Sequence, residues 1–357
     1  MKQPIRVVIN GYGRIGRCVL RALYESGRDR DIRIVAINEP ADLASMAYLT
    51  RFDSTHGVFH GSVEADDTGL VINGRNIPVF HSATPDQGPW RDLEFDLLWE
   101  CSGAYGTRAG LEGFLQAGCP RVLVSQPARS ARDVDYTVVP GINDSGLDAG
   151  QRIVSAASCT TNAIVPVLDL LDRSLGVDRA YLTTLHSVMN DQPMIDGYHH
   201  ADLRRTRSAM QSIVPVSTGL AQGVERLLPE LAGRIQAKAV RVPILNVSAI
   251  DLMVNLREAG TAAQINALFE AAARAQPNLL ACSDHPHASV DFNHDPHSAI
   301  IDASQTRVNG DHFANLFVWF DNEWGFAHRM LDVTQTWASV FQDGQALAQH
   351  LASETNS

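Results

Sequence analysis

The N-terminal segment of the chain places an apolar run, a glycine-rich turn and a helical pattern in direct succession. Residues 5–9 (IRVVI) predict a buried strand, and residues 11–16 (GYGRIG) follow it at once. Apolar residues at helical spacing then continue to Gly27, where we expect the helix to end. A strand, a glycine turn and a helix in this order open a doubly wound α/β fold, so the sequence predicts a parallel sheet with right-handed crossovers.

The three glycines of the turn indicate a dinucleotide site. Gly11, Gly13 and Gly16 allow the backbone to turn tightly and to approach a pyrophosphate, whose negative charge the following helix N-terminus favours. A second apolar run, residues 32–37, is followed by Asn38 and Glu39. An acid at this position suits a ribose 2′-hydroxyl and repels the extra phosphate of NADP, which favours NAD. A flavin dinucleotide is the alternative.

A cysteine stands where a later helical pattern begins. Cys159 lies among small hydroxyl residues, and apolar residues recur from position 164 to position 175, before Gly176. Because a helix N-terminus favours negative charge, we expect the pKa of this thiol to lie below the ~8.5 of a free cysteine. Such a thiolate attacks electrophilic carbon, and the nearby N–H groups stabilise an oxyanion. A buried structural cysteine is the alternative.

A histidine follows the cysteine by 27 positions. His186 ends the predicted strand over residues 180–185 and is a candidate to accept the thiol proton and later to polarise a carbonyl. An isolated histidine is more often a surface or hydrogen-bonded residue, so the pairing of His186 with Cys159 is a hypothesis about the fold.

The pattern of elements changes near the cysteine. Before it, buried strands are predicted over residues 96–101, 121–125 and 152–155, in alternation with helices. After it, a longer strand is predicted over residues 247–256 and an alanine-rich helix over 262–276. We therefore expect a second domain with mainly antiparallel strands and helices on one face.

Composition and charge exclude several classes of protein. Of 357 residues, 45% are hydrophobic and 19% charged, which is typical of a globular chain. The net charge of −11 argues against nucleic acid or a membrane surface as the main partner. The N-terminus lacks a signal-peptide core, and the five cysteines show no CxxC spacing, so we expect a reducing cytoplasm.

The segment 284–297 is the candidate for a metal site. It holds four histidines and three aspartates, which are plausible zinc or iron ligands. Pro286 and Pro296 prevent a helix that would space the histidines regularly, and we predict no metal.

Six segments resemble the phosphorylating glyceraldehyde-3-phosphate dehydrogenase family. In chain order they are INGYGRIGR (9–17), SAASCTTNAIVPV (155–167), DLRRTRSAMQSIVPVSTG (202–219), RVPILNVSAIDL (241–252), DFNHDPHS (291–298) and DNEWGF (321–326). The resemblance covers nearly the whole chain and implies an NAD-dependent aldehyde oxidoreductase that assembles as a homotetramer. It implies a Rossmann NAD-binding domain over residues 1–158, completed by a C-terminal helix over 323–351. An α+β catalytic domain is implied over residues 159–322.

The resemblance also implies roles for individual residues. The implied catalytic pair is Cys159 and His186. The implied NAD contacts are Gly11, Gly13, Arg14, Ile15, Gly16, Glu39, Ser102, Ser125 and Asn322. The implied contacts to a phosphorylated aldose are Ser158, Thr160, Arg204, Ser217, Thr218, Gly219 and Arg241.

Within the family, three segments are most similar to the members that oxidise D-erythrose 4-phosphate: HSVMNDQ (186–192), SAMQS (208–212) and DFNHDPHS. Met189 stands where glyceraldehyde-3-phosphate enzymes usually carry a threonine that helps to hold the substrate phosphate. The implied reaction yields 4-phospho-D-erythronate through a thiohemiacetal and a thioester, as part of pyridoxal 5′-phosphate biosynthesis. A phosphorylating glyceraldehyde-3-phosphate dehydrogenase and a dinucleotide-binding regulator without turnover are the alternatives.

Overall fold

The computed structural model describes residues 3–199 and 202–355, with side chains as far as Gln342 in the last helix. The chain forms two compact units. The first unit runs to Ser158 and resumes at Ala327, and the second unit covers Cys159–Phe326.

The first unit alternates strands with helices. Its strands are β1 (Ile5–Asn10), β2 (Ile32–Asn38), β3 (Phe52–Asp53), β4 (Gly57–Val58), β5 (Val63–Ala65), β6 (Gly69–Ile72), β7 (Arg75–Phe80), β8 (Leu97–Glu100), β9 (Val122–Val124), β10 (Tyr136–Thr137) and β11 (Ile153–Ser155). Its first three helices are α1 (Arg14–Glu25), α2 (Leu43–Arg51) and α3 (Arg108–Ala117).

Nine of these strands form one sheet in the order β10-β11-β9-β8-β1-β2-β7-β6-β5. Each pair of neighbouring strands from β10 through β7 is parallel, whereas the pairs β7–β6 and β6–β5 are antiparallel. The central strand β1 is buried at five of its six positions, as a strand covered on both faces must be. Strand order reverses at β1, so the carboxyl ends of β1, β2 and β8 meet at a switch point, where α/β sheets bind ligands. The predicted doubly wound fold is confirmed.

The second unit is built on a mixed sheet. Its strands are β12 (Val177–His186), β13 (Val214–Val216), β14 (Ile235–Arg241), β15 (Ser248–Leu256), β16 (Leu280–Ser283), β17 (Ala299–Asp302), β18 (Arg307–Asn309) and β19 (Phe313–Phe320). Its helices are α4 (Cys159–Leu175), α5 (Leu220–Leu227) and α6 (Ala262–Ala275). Gly176, with φ of +66°, ends α4 as the sequence predicted.

The sheet order of the second unit is β13-β14-β12-β15-β19-β17-β16, and β18 pairs with β19. Most pairs are antiparallel, as predicted, but β12 with β14 and β16 with β17 are parallel. The burial of β19 alternates along the strand, which indicates one covered face. Because β12 and β14 are parallel neighbours, their carboxyl ends bring His186 opposite Arg241.

The last helix, α7 (Trp324–Thr355), packs on the first unit from Ala327 onward. The indole N–H of Trp99 donates to Oγ1 of Thr334 at 2.8 Å, and the Arg121 guanidinium lies 4.2 Å from the ring centre of Phe341. These contacts join the helix to β8 and to the loop before β9. At 32 residues α7 is long, but neither it nor any other helix in the described residues is apolar enough over sufficient length to cross a membrane.

Candidate active site

Cys159 is the first residue of α4, where the sequence analysis placed it. Two residues earlier, Ala157 holds a left-handed conformation with φ of +59°, which costs a non-glycine residue about 1 kcal/mol or more. Ser158 and Thr160, the predicted substrate contacts on either side of the cysteine, are half-buried. The turn into the helix therefore places a half-buried cysteine at a helix N-terminus.

The thiol and the imidazole are neighbours. Sγ of Cys159 lies 3.7 Å from Nε2 of His186, and Nδ1 of the same ring lies 2.8 Å from the carbonyl oxygen of Ser187. Because a carbonyl oxygen only accepts hydrogen bonds, Nδ1 carries the ring proton and Nε2 turns its lone pair toward the sulfur. The predicted pair is thus arranged for transfer of the thiol proton to Nε2.

The surroundings of Cys159 and His186 favour the neutral form of each side chain. Desolvation raises the pKa of Cys159, against a hydrogen bond with Thr160 that lowers it. Desolvation likewise lowers the pKa of His186, and the charge of Arg241 acts in the same direction. The expectation of a thiol pKa below that of free cysteine is wrong, because desolvation of the sulfur outweighs the helix N-terminus. These directions favour a neutral thiol beside a neutral imidazole.

A cluster of charges lies beside the imidazole. Nη1 of the buried Arg241 donates to Oδ1 of Asp191 at 2.8 Å and to Oε1 of Gln192 at 2.9 Å. Nη1 of Arg205 donates to the second carboxylate oxygen of Asp191, also at 2.8 Å. One carboxylate therefore bridges two guanidinium groups. We name Asp191, Arg205 and Arg241 the arginine clamp.

The structure brings one predicted arginine to the site and leaves another at the surface. Arg241 lies in the clamp, whereas Arg204 is exposed on the short 3-10 turn Leu203–Thr206. Its neighbour Arg205 is the arginine that pairs with Asp191. The run of three arginines identified this region, but adjacent side chains on an irregular turn point in different directions. Arg205, Asp191 and Gln192 are the residues that the sequence analysis missed.

The predicted contacts Ser217, Thr218 and Gly219 are exposed and lead from β13 into α5. A Cβ at Gly223, in the first turns of α5, would lie 3.6 Å from Oγ1 of Thr161 in the first turn of α4. The starts of the two helices are therefore neighbours. This packing brings the segment 217–219 to the same part of the second unit as the cysteine.

The amide of Asn322 has a defined orientation. Its Oδ1 accepts hydrogen bonds from Oγ of Ser187 at 3.0 Å and from Oγ of Ser248 at 2.8 Å. Both bonds occupy the oxygen, so Nδ2 is the group that Asn322 offers to a ligand acceptor. An amide donor fits the oxygen of a nicotinamide carboxamide, which is the role that the resemblance implied.

The glycine turn of the first unit has the shape that a pyrophosphate requires. Gly11 has φ of +88°, and a Cβ there would overlap the backbone of Ser102. A Cβ at Gly16 would overlap the carbonyl of Gly11, whereas one at Gly13 would meet nothing within 4 Å. Gly13 is also the N-cap of α1 and supplies no capping side chain. The N–H groups of the first turn, at Arg14 and Ile15, therefore face an open cradle that fits an anion.

The acid after β2 is anchored beside this turn. Oε2 of Glu39 accepts the backbone N–H of Tyr12 at 2.6 Å, and Oε1 accepts that of Ala41 at 3.2 Å. A carboxylate offers about four acceptor sites, so Glu39 keeps capacity for ribose hydroxyls. The negative charge of Glu39 also repels the 2′-phosphate of NADP. The residues present therefore fit NAD.

Ser102 and Ser125 lie at the same sheet edge, after β8 and β9. The backbone N–H of Ser102 donates to Oε1 of Glu100 at 2.9 Å, and that of Ser125 donates to the Glu100 carbonyl at 3.0 Å. Nδ2 of Asn10 donates to the other Glu100 oxygen. Burial raises the pKa of Glu100 to about 7. A buried polar network therefore ties the ends of β1, β8 and β9 together beneath the glycine turn.

The histidines of the segment 284–297 have separate partners. Nδ1 of His297 lies 2.7 Å from Asp295, and Nδ1 of His287 lies 3.1 Å from Oγ of Ser283. The His294 ring stacks on Trp324 with 3.6 Å between ring centres. These contacts give the three rings structural roles.

Two models of one protein family match the chain. The model for the glyceraldehyde 3-phosphate dehydrogenase NAD binding domain matches residues 5–108, which include the glycine turn and Glu39. The model for the C-terminal domain of the same family matches residues 158–322, which include Cys159, His186 and Asn322. The first match shows that the cofactor is NAD. The chain therefore belongs to the glyceraldehyde 3-phosphate dehydrogenase family and is an NAD-dependent oxidoreductase.

Proposed function

We propose that the protein oxidises D-erythrose 4-phosphate to 4-phospho-D-erythronate, with NAD as the hydride acceptor and water as the acyl acceptor. The observation that carries the proposal is the 3.7 Å contact between Sγ of Cys159 and Nε2 of His186, with the arginine clamp beside it. A nucleophile, its base and cationic groups are the parts that covalent oxidation of a phosphorylated aldehyde requires.

The reaction begins with proton transfer inside the pair. Nε2 of His186 takes the proton of Cys159, and the thiolate attacks the aldehyde carbon to form a thiohemiacetal. The backbone N–H of Cys159 and the protonated imidazole stabilise the oxygen as its charge develops. NAD, when bound, would supply the hydride acceptor for this carbon, and the donor Nδ2 of Asn322 would orient its carboxamide. A thioester remains on Cys159.

Hydrolysis completes the cycle. The imidazole first releases to solvent the proton that it took from Cys159. Neutral His186 then removes a proton from a water molecule, whose oxygen bonds to the thioester carbon. The C–S bond then breaks, the sulfur leaves with the electron pair, and Cys159 regains a proton from the imidazole. The lowered pKa of His186 supports this step, because the ring must be neutral to act as a base at pH 7.

Met189 supports the assignment of the substrate. It is about half exposed, and its thioether offers only a weak acceptor to a phosphate, in a place where glyceraldehyde-3-phosphate enzymes usually carry a threonine. A phosphate site altered at this point suits a sugar that is one carbon longer. Arg204 and the segment 217–219, all exposed, are the proposed contacts for its phosphate, with Ser158 and Thr160 beside the nucleophile.

Steady-state rates on both aldehydes test the proposal. We expect D-erythrose 4-phosphate to give the higher kcat/KM, with a rate that is independent of inorganic phosphate. A higher kcat/KM on glyceraldehyde 3-phosphate, together with a requirement for phosphate, would assign the protein to the phosphorylating enzymes instead. No turnover on either aldehyde, with NAD still bound, would indicate a regulator. Cys159→Ser is the control that removes the nucleophile.

The oligomeric state of the protein and its cellular compartment are also proposals. Several large apolar side chains in the stretch 189–213 are exposed, which supports a homotetramer that covers this surface. No disulfide joins the five cysteines, all of which lie in the described residues, and this supports a reducing cytoplasm. The product would enter pyridoxal 5′-phosphate biosynthesis.

A further inference from the structure

Three buried polar residues meet where β12 ends, β15 begins and β19 ends. Ser248 lies opposite Phe320 in the register of β15 and β19, and the chain reaches Asn322 two residues after that strand. The backbone N–H of Ser187, directly after β12, donates to Oγ of Ser248 at 3.1 Å. The side chains of Ser187, Ser248 and Asn322 are all buried, so each of them depends on the others for hydrogen bonds.

The hydrogen bonds among these residues have a fixed direction. A backbone N–H can only donate, so the N–H of Ser187 occupies a lone pair of the Ser248 hydroxyl. The hydrogen of that hydroxyl goes to Oδ1 of Asn322 at 2.8 Å, and Oγ of Ser187 donates to the same oxygen at 3.0 Å. If the amide turned over, both hydroxyl hydrogens would face Nδ2, which does not accept them. The main chain thus determines which end of the amide points away from the two serines.

Ser187 also connects this network to the catalytic base. Its carbonyl oxygen accepts a hydrogen bond from Nδ1 of His186 at 2.8 Å, while its hydroxyl holds the amide of Asn322. One residue therefore contacts both the group that takes the thiol proton and the amide that fits a nicotinamide carboxamide. The base and the amide are fixed to the same short segment of the second unit.

We propose that Ser187 and Ser248 are positioning residues for the nicotinamide end of NAD: their hydroxyl groups hold the Asn322 amide with Nδ2 directed to the carboxamide oxygen. This inference rests on the role of Asn322 in the proposed function. Because both serines act through the asparagine, loss of either hydroxyl should affect the nicotinamide end of the cofactor alone.

The test compares the binding of NAD with that of ADP-ribose, which lacks the nicotinamide ring, by titration calorimetry. We expect Ser187→Ala and Ser248→Ala each to raise the Kd for NAD by about three- to tenfold, the usual effect of one lost hydrogen bond. The Kd for ADP-ribose should stay unchanged, because the glycine turn and Glu39 are the groups that fit this part of the cofactor.

A double-mutant cycle shows whether the serines act through the amide. Asn322→Ala removes the amide itself and should weaken NAD binding at least as much as either serine variant does. In the Asn322→Ala background, Ser248→Ala should cause no further loss of NAD affinity, since the group that it orients is already gone. A serine that only supports the fold would weaken the binding of NAD in both backgrounds.

Thr184→Val is the matched control. Thr184 is a buried residue of β12, and its hydroxyl has no hydrogen-bond partner among the described residues. The substitution removes a buried hydroxyl from the same strand and nearly preserves the shape of the side chain. Both Kd values should therefore stay unchanged.

Equal weakening of NAD and ADP-ribose by the serine variants, or unchanged NAD binding in both, would refute the positioning role. Additive losses in the double variant, or weaker NAD binding in Thr184→Val, would also contradict it. If Ser248→Ala fails to fold, Ser187→Ala gives the same readout. Unchanged NAD binding in Asn322→Ala would overturn the role of the asparagine as well. The experiment contains no aldehyde, so a failure of the proposed function on D-erythrose 4-phosphate would appear separately, in the turnover of wild type.

Discussion

At the scale of single residues, Cys159 and His186 form a pair whose surroundings favour the neutral form of each side chain. Ser187 fixes the imidazole tautomer through its carbonyl oxygen, and burial disfavours the charged forms of both Cys159 and His186. In the proposed mechanism, the base therefore removes the proton of the sulfur during the attack on the aldehyde.

His186→Asn removes the base and leaves a side chain of similar polarity. We expect kcat to fall by about 10²–10⁴-fold, the usual contribution of a general base. The measurement is steady-state turnover, with exposed His285→Asn as the control. A loss of less than about tenfold would contradict the assigned role.

The pH dependence of alkylation tests the same pair. The thiolate is the species that attacks iodoacetamide, and a raised thiol pKa lowers the fraction of thiolate at neutral pH. Alkylation of Cys159, followed by peptide mass spectrometry, should therefore increase with pH beyond neutrality in both wild type and His186→Asn. A rate that is already maximal at pH 7 would show that the resting sulfur is ionised.

At the scale of elements, the glycine turn between β1 and α1 combines two different requirements. Gly11 needs its left-handed conformation and its close approach to Ser102, so it serves the fold. Gly13 has open space around its Cα, so its lack of a side chain serves the approach of a ligand.

Gly11→Ala and Gly13→Ala should therefore separate stability from binding. We expect Gly11→Ala to lower the unfolding free energy by about 2 kcal/mol or more, because the methyl group overlaps backbone and φ is positive. Gly13→Ala should leave the melting temperature nearly unchanged and weaken NAD binding. Calorimetry of unfolding and titration with NAD measure the two effects. Equal loss of stability in both variants would contradict this division.

At the scale of the whole molecule, one loop of the second unit exposes an apolar surface. Met194, Ile195 and Leu203 each expose about three quarters of their area, and Tyr198 is fully exposed. Single exposed apolar residues are ordinary, but a group of them within one loop is typical of an interface. This surface is the proposed site of subunit contact.

Ile195→Asp tests this assembly. We expect wild type to have four times the mass of the chain in solution by light scattering, and the variant to dissociate, because a charge in an apolar interface lacks a partner. Val290→Asp, at a position of similar exposure outside the loop, is the control and should stay assembled. A wild-type protein that is monomeric at all concentrations would refute the proposal.

Much of the architecture follows from local patterns along the chain. The strand before Gly11, the helix that starts at Cys159 and the end of that helix at Gly176 were all predicted, because periodicity, glycine placement and helix termini act over a few neighbouring residues. The family motifs likewise identified the cysteine, the histidine and NAD.

The electrostatics of the site depend on residues that are distant in the chain. Arg205 rather than Arg204 joins Asp191, and the thiol pKa moves upward rather than downward. Side-chain direction on an irregular turn and the desolvation of a sulfur are set by elements packed from elsewhere, and no local pattern encodes them. The amino-acid order thus specifies which groups can react, while packing between distant segments sets their charge and their partners.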